Sequence, residues 1–386
     1  MKDTVHKRHK KFFATDPTAY YFSPATLQIL GEGSHTLKGK VLTLALNKGL
    51  YAGVHTRDDH TLSIMLDFHD EPKQLTIDLS NLTPGADTIY ERLANAIIKK
   101  LQYEGYRVQK GLNISITGSK SLPNNLGFHA TFEMLLLFIF NHQNGFELSK
   151  EKQVRYAFLA ERSLGELHSN IAQHHTCMYA SKNHINYLDT KTLEHKALPY
   201  NHTENPAIMV FLNRPKFILN VDIADRLKAI EKGTEIIKDY RAINALSELG
   251  FDEFNKMKTH VKNPTQRQYL EHVMFEQERI EQAVEYLENK DMIMFADTLE
   301  QSQNSLKHLY EISNQYYEDI LSQMYRYGTI GARICNIGYE QIIVAFFEKG
   351  EGPDSFAEFK ESFYKQYKKD LDIQPVKTDH GLSVLE

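Results

Sequence analysis

The stretch GSKSLPNNLGFHATFEMLLLFIFN, Gly118 to Asn141, limits what this chain can fold into more than any other. From about 129 to 141 it is apolar on every side, so its pattern predicts a helix that is buried all round rather than on one face. The apolar run Met134 to Phe140 is far too short to span a bilayer, which takes about 20 residues. A helix of this kind needs partners on every side, and therefore a sizeable core. The 386 residues are enough for that core and for two domains. The loop ahead of the helix gives the segment a second property. A loop running into a helix start presents backbone N–H groups to an anion, often a phosphate.

The flanking sequence supplies mixed partners. Strands are expected near 41–56, in LSIMLDFHD and KQLTIDLS, and in GLNISITGS. TIYERLANAIIKKLQYEG, 88–105, has apolar spacing near 3.6 and ends on Gly105, which predicts a helix. EKQVRYAFLAERSLGE predicts another helix, and HINYLDTKTLEHKALP a hairpin. Beyond Pro199–Pro206 the pattern becomes mainly helical, through DIADRLKAIEKGTEIIKDY, QRQYLEHVMFEQERIEQAVEYLENKD, DMIMFADTLEQSQNSLKHLY and NQYYEDILSQMYRYG. EQIIVAFFEKG and DIQPVKTDHGLSVLE add strands. The tract 266–310 has a heptad-like pattern. Its segments of about 20 residues fit core-facing helices better than a coiled-coil arm. The resulting expectation is an α+β protein with domains over 1–205 and 206–386.

Composition excludes several function classes. The net charge is −5 and the pI is near 6.4, whereas a nucleic-acid binder needs a basic face. The basic opening MKDTVHKRHKKFF is followed by no apolar segment, so it does not read as a signal peptide. Cys177 and Cys335 are the two cysteines, with neither a disulfide framework nor metal-ligand spacing. These features point to a cytoplasmic protein with no membrane and no nucleic-acid partner. The 18 histidines include the pair in QHHT, Gln173–Thr176. Adjacent histidines point to different sides of a helix or strand, so the spacing gives no metal site there.

Five segments, in order and in register, resemble the galactokinases of the GHMP kinase family. SPATLQILGEGSHTLKGK follows the family's A-P-G-R-V-N-L-I-G-E-H-T-D-Y-N-G-G. The stretch SLPNNLGFHATFE follows P-x-G-A-G-L-S-S-S-A-S-L-E. AERSLGELHSNIAQHH follows A-E-N-x-F-V-G-x-x-C-G-I-M-D-Q-F. SQNSLKHLYEISNQYYEDI follows S-H-x-S-L…Y-x-V-S-x-x-E-L-D-x-L, and IGARICNIGYEQ follows G-A-R-M-T-G-G-G-F-G-G. The resemblance runs from about residue 12 to the C-terminus. It implies a GHMP-kinase-like fold with a ribosomal-protein-S5-like N-terminal domain and a helix-rich ferredoxin-like C-terminal domain. It also implies a site in a cleft where Thr26, Glu32, Phe128, Gln173 and Gly338 converge.

The resemblance does not bring the family's chemistry with it. The Arg and Asp that flank the family's phosphoryl acceptor fall on Thr26 and Gln173. Thr26 has no charge, and Gln173 can hydrogen-bond but cannot take up a proton. Of the sugar-gripping residues Glu32 remains, while His35 and Thr36 stand where the family has Asp and Tyr. In the phosphate loop Pro123 and Asn125 replace glycines, and Gly127, Phe128 and His129 replace three serines. Leu126 and Gly127 with His129, and Gly338 across from them, are the degenerate nucleotide-binding positions. Glu340 would bring negative charge towards a phosphate. Glu133 and Glu161 stand as possible remnants of metal-associated positions or as structural residues.

Two functions follow as expectations. One is a galactokinase-like protein that has lost catalysis and binds, senses or scaffolds, with a small sugar or a protein as partner. The other is a working ATP- and Mg²⁺-dependent sugar kinase with relocated machinery. In that case His35, His129 or His174 would be the base and Lys38 or Lys40 the charge partner. Only the second requires ATP and Mg²⁺, and neither sets an oligomeric state.

Overall fold

The structure is a computed structural model. It describes residues 1–34, 38–68, 71–82, 88–118, 126–165, 169–211, 223–335, 341–348, 353–368 and 370–386. In chain order the elements are α1 (Lys2–Phe13), β1 (Ala19–Leu30), β2 (Lys40–Thr56), β3 (Thr61–Asp67), β4 (Lys73–Asp78), α2 (Ile89–Tyr103), β5 (Leu112–Gly118), α3 (Phe128–Asn144), α4 (Lys150–Arg162), α5 (Ile171–Tyr179), β6 (His184–Asp189), β7 (His195–Pro199) and β8 (Ala207–Phe211). They continue with α6 (Ile223–Lys238), α7 (Phe251–Met257), α8 (Pro264–Glu288), α9 (Met292–His308), α10 (Gln315–Arg326), β9 (Thr329–Cys335), β10 (Ile342–Phe347), α11 (Pro353–Tyr367), β11 (Asp372–Pro375) and β12 (Ser383–Val384). The chain packs as two compact units. One is Met1–Thr26, Ala45–Lys182 and Asp379–Glu386; the other is Leu27–Leu44 and Asn183–Thr378.

In the first unit the strand order is β12-β1-β2-β5-β3-β4. β2 and β5 are antiparallel, with Leu50 opposite Gly118 and Thr56 opposite Leu112. β3 runs parallel to β5, with Leu62 opposite Leu112. The helix expected at 129–141 is α3. Its Phe132, Met134, Leu135, Leu136, Leu137, Ile139 and Phe140 are wholly buried, each contributing about 1.5–3 kcal/mol of burial. Gly145 ends the helix in the left-handed region, φ 66°, where its N–H reaches the Asn141 carbonyl. α2 begins in a capping box between Thr88 and Glu91. α1 has few apolar residues and no sequence signal of its own. Val5 and His9 alone are buried on it. His9 Nδ1 lies 3.1 Å from the Gly53 carbonyl and 3.0 Å from Ser115 Oγ. Burial lowers the His9 pKa to about 4, so a neutral imidazole docks the basic opening of the chain.

In the second unit Lys40–Thr43 of β2 pairs with β6, which forms the expected hairpin with β7. This pairing is why residues 183–205 pack with the later part of the chain. A separate antiparallel sheet has the order β11-β8-β10-β9. One core lies among β8, β9, β10, α10 and α11, around Tyr317, Ile320, Ile334, Ile343 and Phe363. Another joins α6, α8 and α9 through Ile230, Leu270, Val273, Leu306 and Tyr310. The tract 266–310 therefore consists of core-facing helices. α8 starts at the Asn263 cap with Pro264 in its first turn, and α9 starts at the Asp291 cap.

Gly331 allows β9 to run against α9. A Cβ at this position would lie 2.2 Å from the Ala296 carbonyl oxygen, and that backbone atom cannot rotate away. We expect Gly331→Ala to cost about 1–3 kcal/mol or more, read as a lower midpoint in chemical denaturation followed by circular dichroism.

Candidate functional site

The first unit builds its candidate site at the start of α3. Leu126 and Gly127 both have left-handed backbone, φ 57° and 65°. Two such residues in succession turn the chain into the helix with no side-chain cap on its first amides. The Thr26 N–H donates to the Leu126 carbonyl at 2.9 Å, which ties β1 to the turn. Space at Gly127 is closed as well: a Cβ there would lie 2.0 Å from Thr26 Oγ1 and 3.3 Å from the Gln173 Cδ. Thr26, Gly127 and Gln173 are therefore brought together. Thr26 is buried, and its Oγ1 has no hydrogen-bond partner among the described residues. Gln173 is half-buried in the first turn of α5.

Phe128 is part of the core. It is 5% exposed, and its ring packs edge-on against Phe68 and Tyr90, at centroid distances of 5.4 and 5.7 Å, and stacks on Phe132. This aromatic cluster occupies the first turn of α3, where a phosphate-binding loop would present a hydroxyl. Phe128 itself offers no oxygen to a cation here. The backbone amides of the turn are the anion donors that remain.

One turn deeper, α3, α4 and α5 each place one polar side chain in a closed cluster. The His174 Nδ1 lies 3.2 Å from the Asn170 carbonyl, which can only accept, so Nδ1 carries the ring proton. His174 Nε2 lies 2.9 Å from Glu133 Oε2 and 4.0 Å from Glu161 Oε2. His129 Nδ1 lies 3.3 Å from Glu161 Oε1. Glu133 and His174 are wholly buried. Burial, and then the Glu161 charge, push the Glu133 carboxyl well above the usual range. Burial pulls His174 down. For Glu161 burial works in the opposite direction, but the bond from His129 and the nearby histidines hold its pKa below normal. The directions agree on a neutral Glu133 donating to a neutral His174 beside an ionised Glu161. The sequence points to Glu133 and Glu161 as possible metal-associated positions and to His174 as a candidate base, but not to contact between them.

The second unit holds Glu32, buried in the turn after β1. Its Oε1 is 3.5 Å from Arg333 Nη2. Arg333 is wholly buried on β9 and donates from Nη1 to the Ile29 carbonyl at 2.9 Å and to Glu276 Oε1 at 3.0 Å. Glu276 also accepts from the Gly31 N–H at 3.0 Å, from Ser302 Oγ at 2.9 Å and from Arg279 Nη2 at 2.7 Å. Despite burial, the two guanidinium groups keep the Glu276 carboxyl well below the usual carboxylate range. Glu32 goes the other way. Burial outweighs Arg333 and raises its pKa to about 7. Glu276 carries no signal in the sequence, because a glutamate on a long helix normally faces water. Lys40 is engaged in an ion pair with Glu281. His35, Pro123, Asn125, Gly338 and Glu340 lie outside the described residues.

Two measurements follow. Phe128→Ala removes a buried aromatic side chain and should cost about 3–5 kcal/mol, seen as a lower midpoint of unfolding. Glu32 has a folded pKa raised above its unfolded value, so its contribution is fully present below about pH 4.5 and is lost as pH rises through about 7. In Glu32→Gln that part of the pH dependence should disappear, with the variant gaining on the parent protein between pH 5 and 8. A parallel pair of stability–pH curves would refute this.

No protein-family profile matches the chain. Among curated relatives, the galactokinase of Clostridium tetani is 25% identical over 373 residues, 96% of this chain and 93% of the relative. The galactokinase of Streptococcus suis is 24% identical over 356 residues, 92% of this chain and 90% of the relative. Among solved structures, Lactococcus lactis galactokinase complexed with galactose superposes with a TM-score of 0.88 at 18% identity, covering 99% of both chains. Methanococcus jannaschii mevalonate kinase gives 0.65 at 15% identity, covering 93% of this chain and 98% of its own. The chain has the galactokinase-like GHMP kinase fold over nearly its whole length.

Proposed function

We propose that this galactokinase-like chain does not transfer phosphate to galactose and that it acts by binding, with a small sugar or a protein as its partner. The observation that carries the reading is the first turn of α3. Phe128 there is buried against Phe68, Tyr90 and Phe132, at a position where the family resemblance expects a serine. The neighbouring Thr26, at the position of the family's Arg, is buried and uncharged beside Gly127. Gln173, at the position of the family's Asp, can hydrogen-bond but cannot take up a proton. Loss of a positioned base lowers a rate by about 10²–10⁴, and loss of a charge stabiliser by about 10²–10³.

One observation favours the rival reading, a working kinase. His129 stands partly buried at the helix start with its Nδ1 on the Glu161 carboxylate. A carboxylate that orients an imidazole is how a histidine base is commonly held. Under this reading His129 takes the acceptor proton, and ATP with Mg²⁺ is required.

A coupled assay with galactose, ATP and Mg²⁺ separates the two. The proposal expects no turnover above background and no thermal shift with ATP and Mg²⁺. It also expects Thr26→Arg with Gln173→Asp to remain inactive, since the space beside Gly127 is filled and the aromatic turn is unchanged. Turnover of galactose that is lost in His129→Ala would overturn the proposal and establish the rival.

A further inference from the structure

We propose that Glu133, Glu161 and His174 form a binding site for one divalent transition-metal ion of the zinc class, held inside the first unit without any nucleotide. One oxygen from each carboxylate and the imidazole nitrogen lie within 4.8 Å of one another, and all three side chains are buried. The cluster is more than an acidic pair. A metal ion would replace the proton that the neutral Glu133 donates to His174, releasing it to solvent, and would give a cation to Glu133 Oε1, which is buried with no hydrogen-bond partner among the described residues. A wholly buried group left in that state is costly.

The histidine is already set as a ligand. His174 Nδ1 donates to the Asn170 carbonyl, and this directs the Nε2 lone pair towards the carboxylates. A carbonyl on the far nitrogen is the usual way in which a metal-binding imidazole is oriented. Glu161 is steadied likewise by His129 Nδ1 on its other oxygen. The nitrogen-to-oxygen separations of 2.9 and 4.0 Å bracket the roughly 3.3–3.6 Å expected between donors of a tetrahedral ion with ligand bonds of about 2.0–2.2 Å. A shift of about half an ångström in two side chains closes the site. Three helices each supply one ligand, so the frame is rigid. One imidazole with two carboxylates suits zinc or manganese better than magnesium, which favours all-oxygen shells with several waters. The ion would enter beside His129, whose side chain is 21% exposed.

The test uses the full chain stripped with chelator, then dialysed separately against Zn²⁺, Mn²⁺ and Mg²⁺ without nucleotide. Metal content is measured after gel filtration. The proposal expects about one zinc per chain, no retained magnesium, and at least 100-fold weaker zinc binding in both Glu133→Gln and His174→Gln. X-ray absorption on the unmodified zinc-loaded protein should show a nitrogen–oxygen shell containing imidazole and no sulfur, and this result does not depend on whether the variants fold. No retained zinc, a sulfur ligand, or zinc held equally by both variants would each overturn the proposal. The result is independent of galactose turnover, so it stands or falls apart from the functional reading above.

Discussion

The buried carboxylate of Glu276 organises the second unit. Two guanidinium groups, a serine hydroxyl and the Gly31 amide all donate to it. Those donors come from the turn after β1, from α8 itself, from α9 and from β9, so one side chain registers four separate segments. Breaking such a cluster from one side leaves buried charges without partners, which typically costs about 3–5 kcal/mol. The geometry also explains Glu32. A single guanidinium, on Arg333, serves two carboxylates. Glu276 has the closer contact at 3.0 Å, and Glu32 has the longer one at 3.5 Å. Glu276 therefore keeps its charge, and Glu32 is left with burial as its dominant influence. A residue that the family resemblance places in a sugar grip is here coupled to the ion network beneath it.

The first unit is organised by backbone conformation instead. Leu126 and Gly127 turn in the left-handed region, and Thr26 closes over them through its N–H bond to the Leu126 carbonyl. A Cβ at 127 is strained by φ and blocked by contact with Thr26. The frame of a helix start able to meet an anion is therefore present, and the side chains packed on its first turn are aromatic. Phe128 extends the hydrophobic core into the first turn of α3. Polar chemistry moves one turn inward, to Glu133, Glu161 and His174, where water is excluded and hydrogen bonds and charge effects are stronger.

How much of this was legible in the sequence depended on distance along the chain. α3 was evident because thirteen consecutive positions without a polar face permit little but a buried helix. α2, α8, α9 and the β6–β7 hairpin were evident from local periodicity and turn residues. α1 was not, because its single docking histidine finds its partners at Gly53 and Ser115, residues remote in sequence. β8 is short and wholly buried, and a run of five apolar residues has no period to read. At the candidate site the sequence identified Thr26, Gln173 and Glu32 through their place in a family pattern, and it listed Phe128 as a substitution without indicating where the ring would go.

The sequence by itself determined the local elements of an α+β protein, and its resemblance to the GHMP kinases pointed to their fold and to the uncharged Thr26 and Gln173 as site positions. Those are properties of residue type and order, which local periodicity and motif spacing encode. Only the tertiary structure decided that Phe128 is a core residue, that Arg333 serves Glu276 before Glu32, and that His174 faces two carboxylates. Each of these depends on which side chains meet across separations of tens to hundreds of residues, and on how much water is left when they do. Burial and the charges packed beside it together set whether a carboxyl is charged, and both are created by packing.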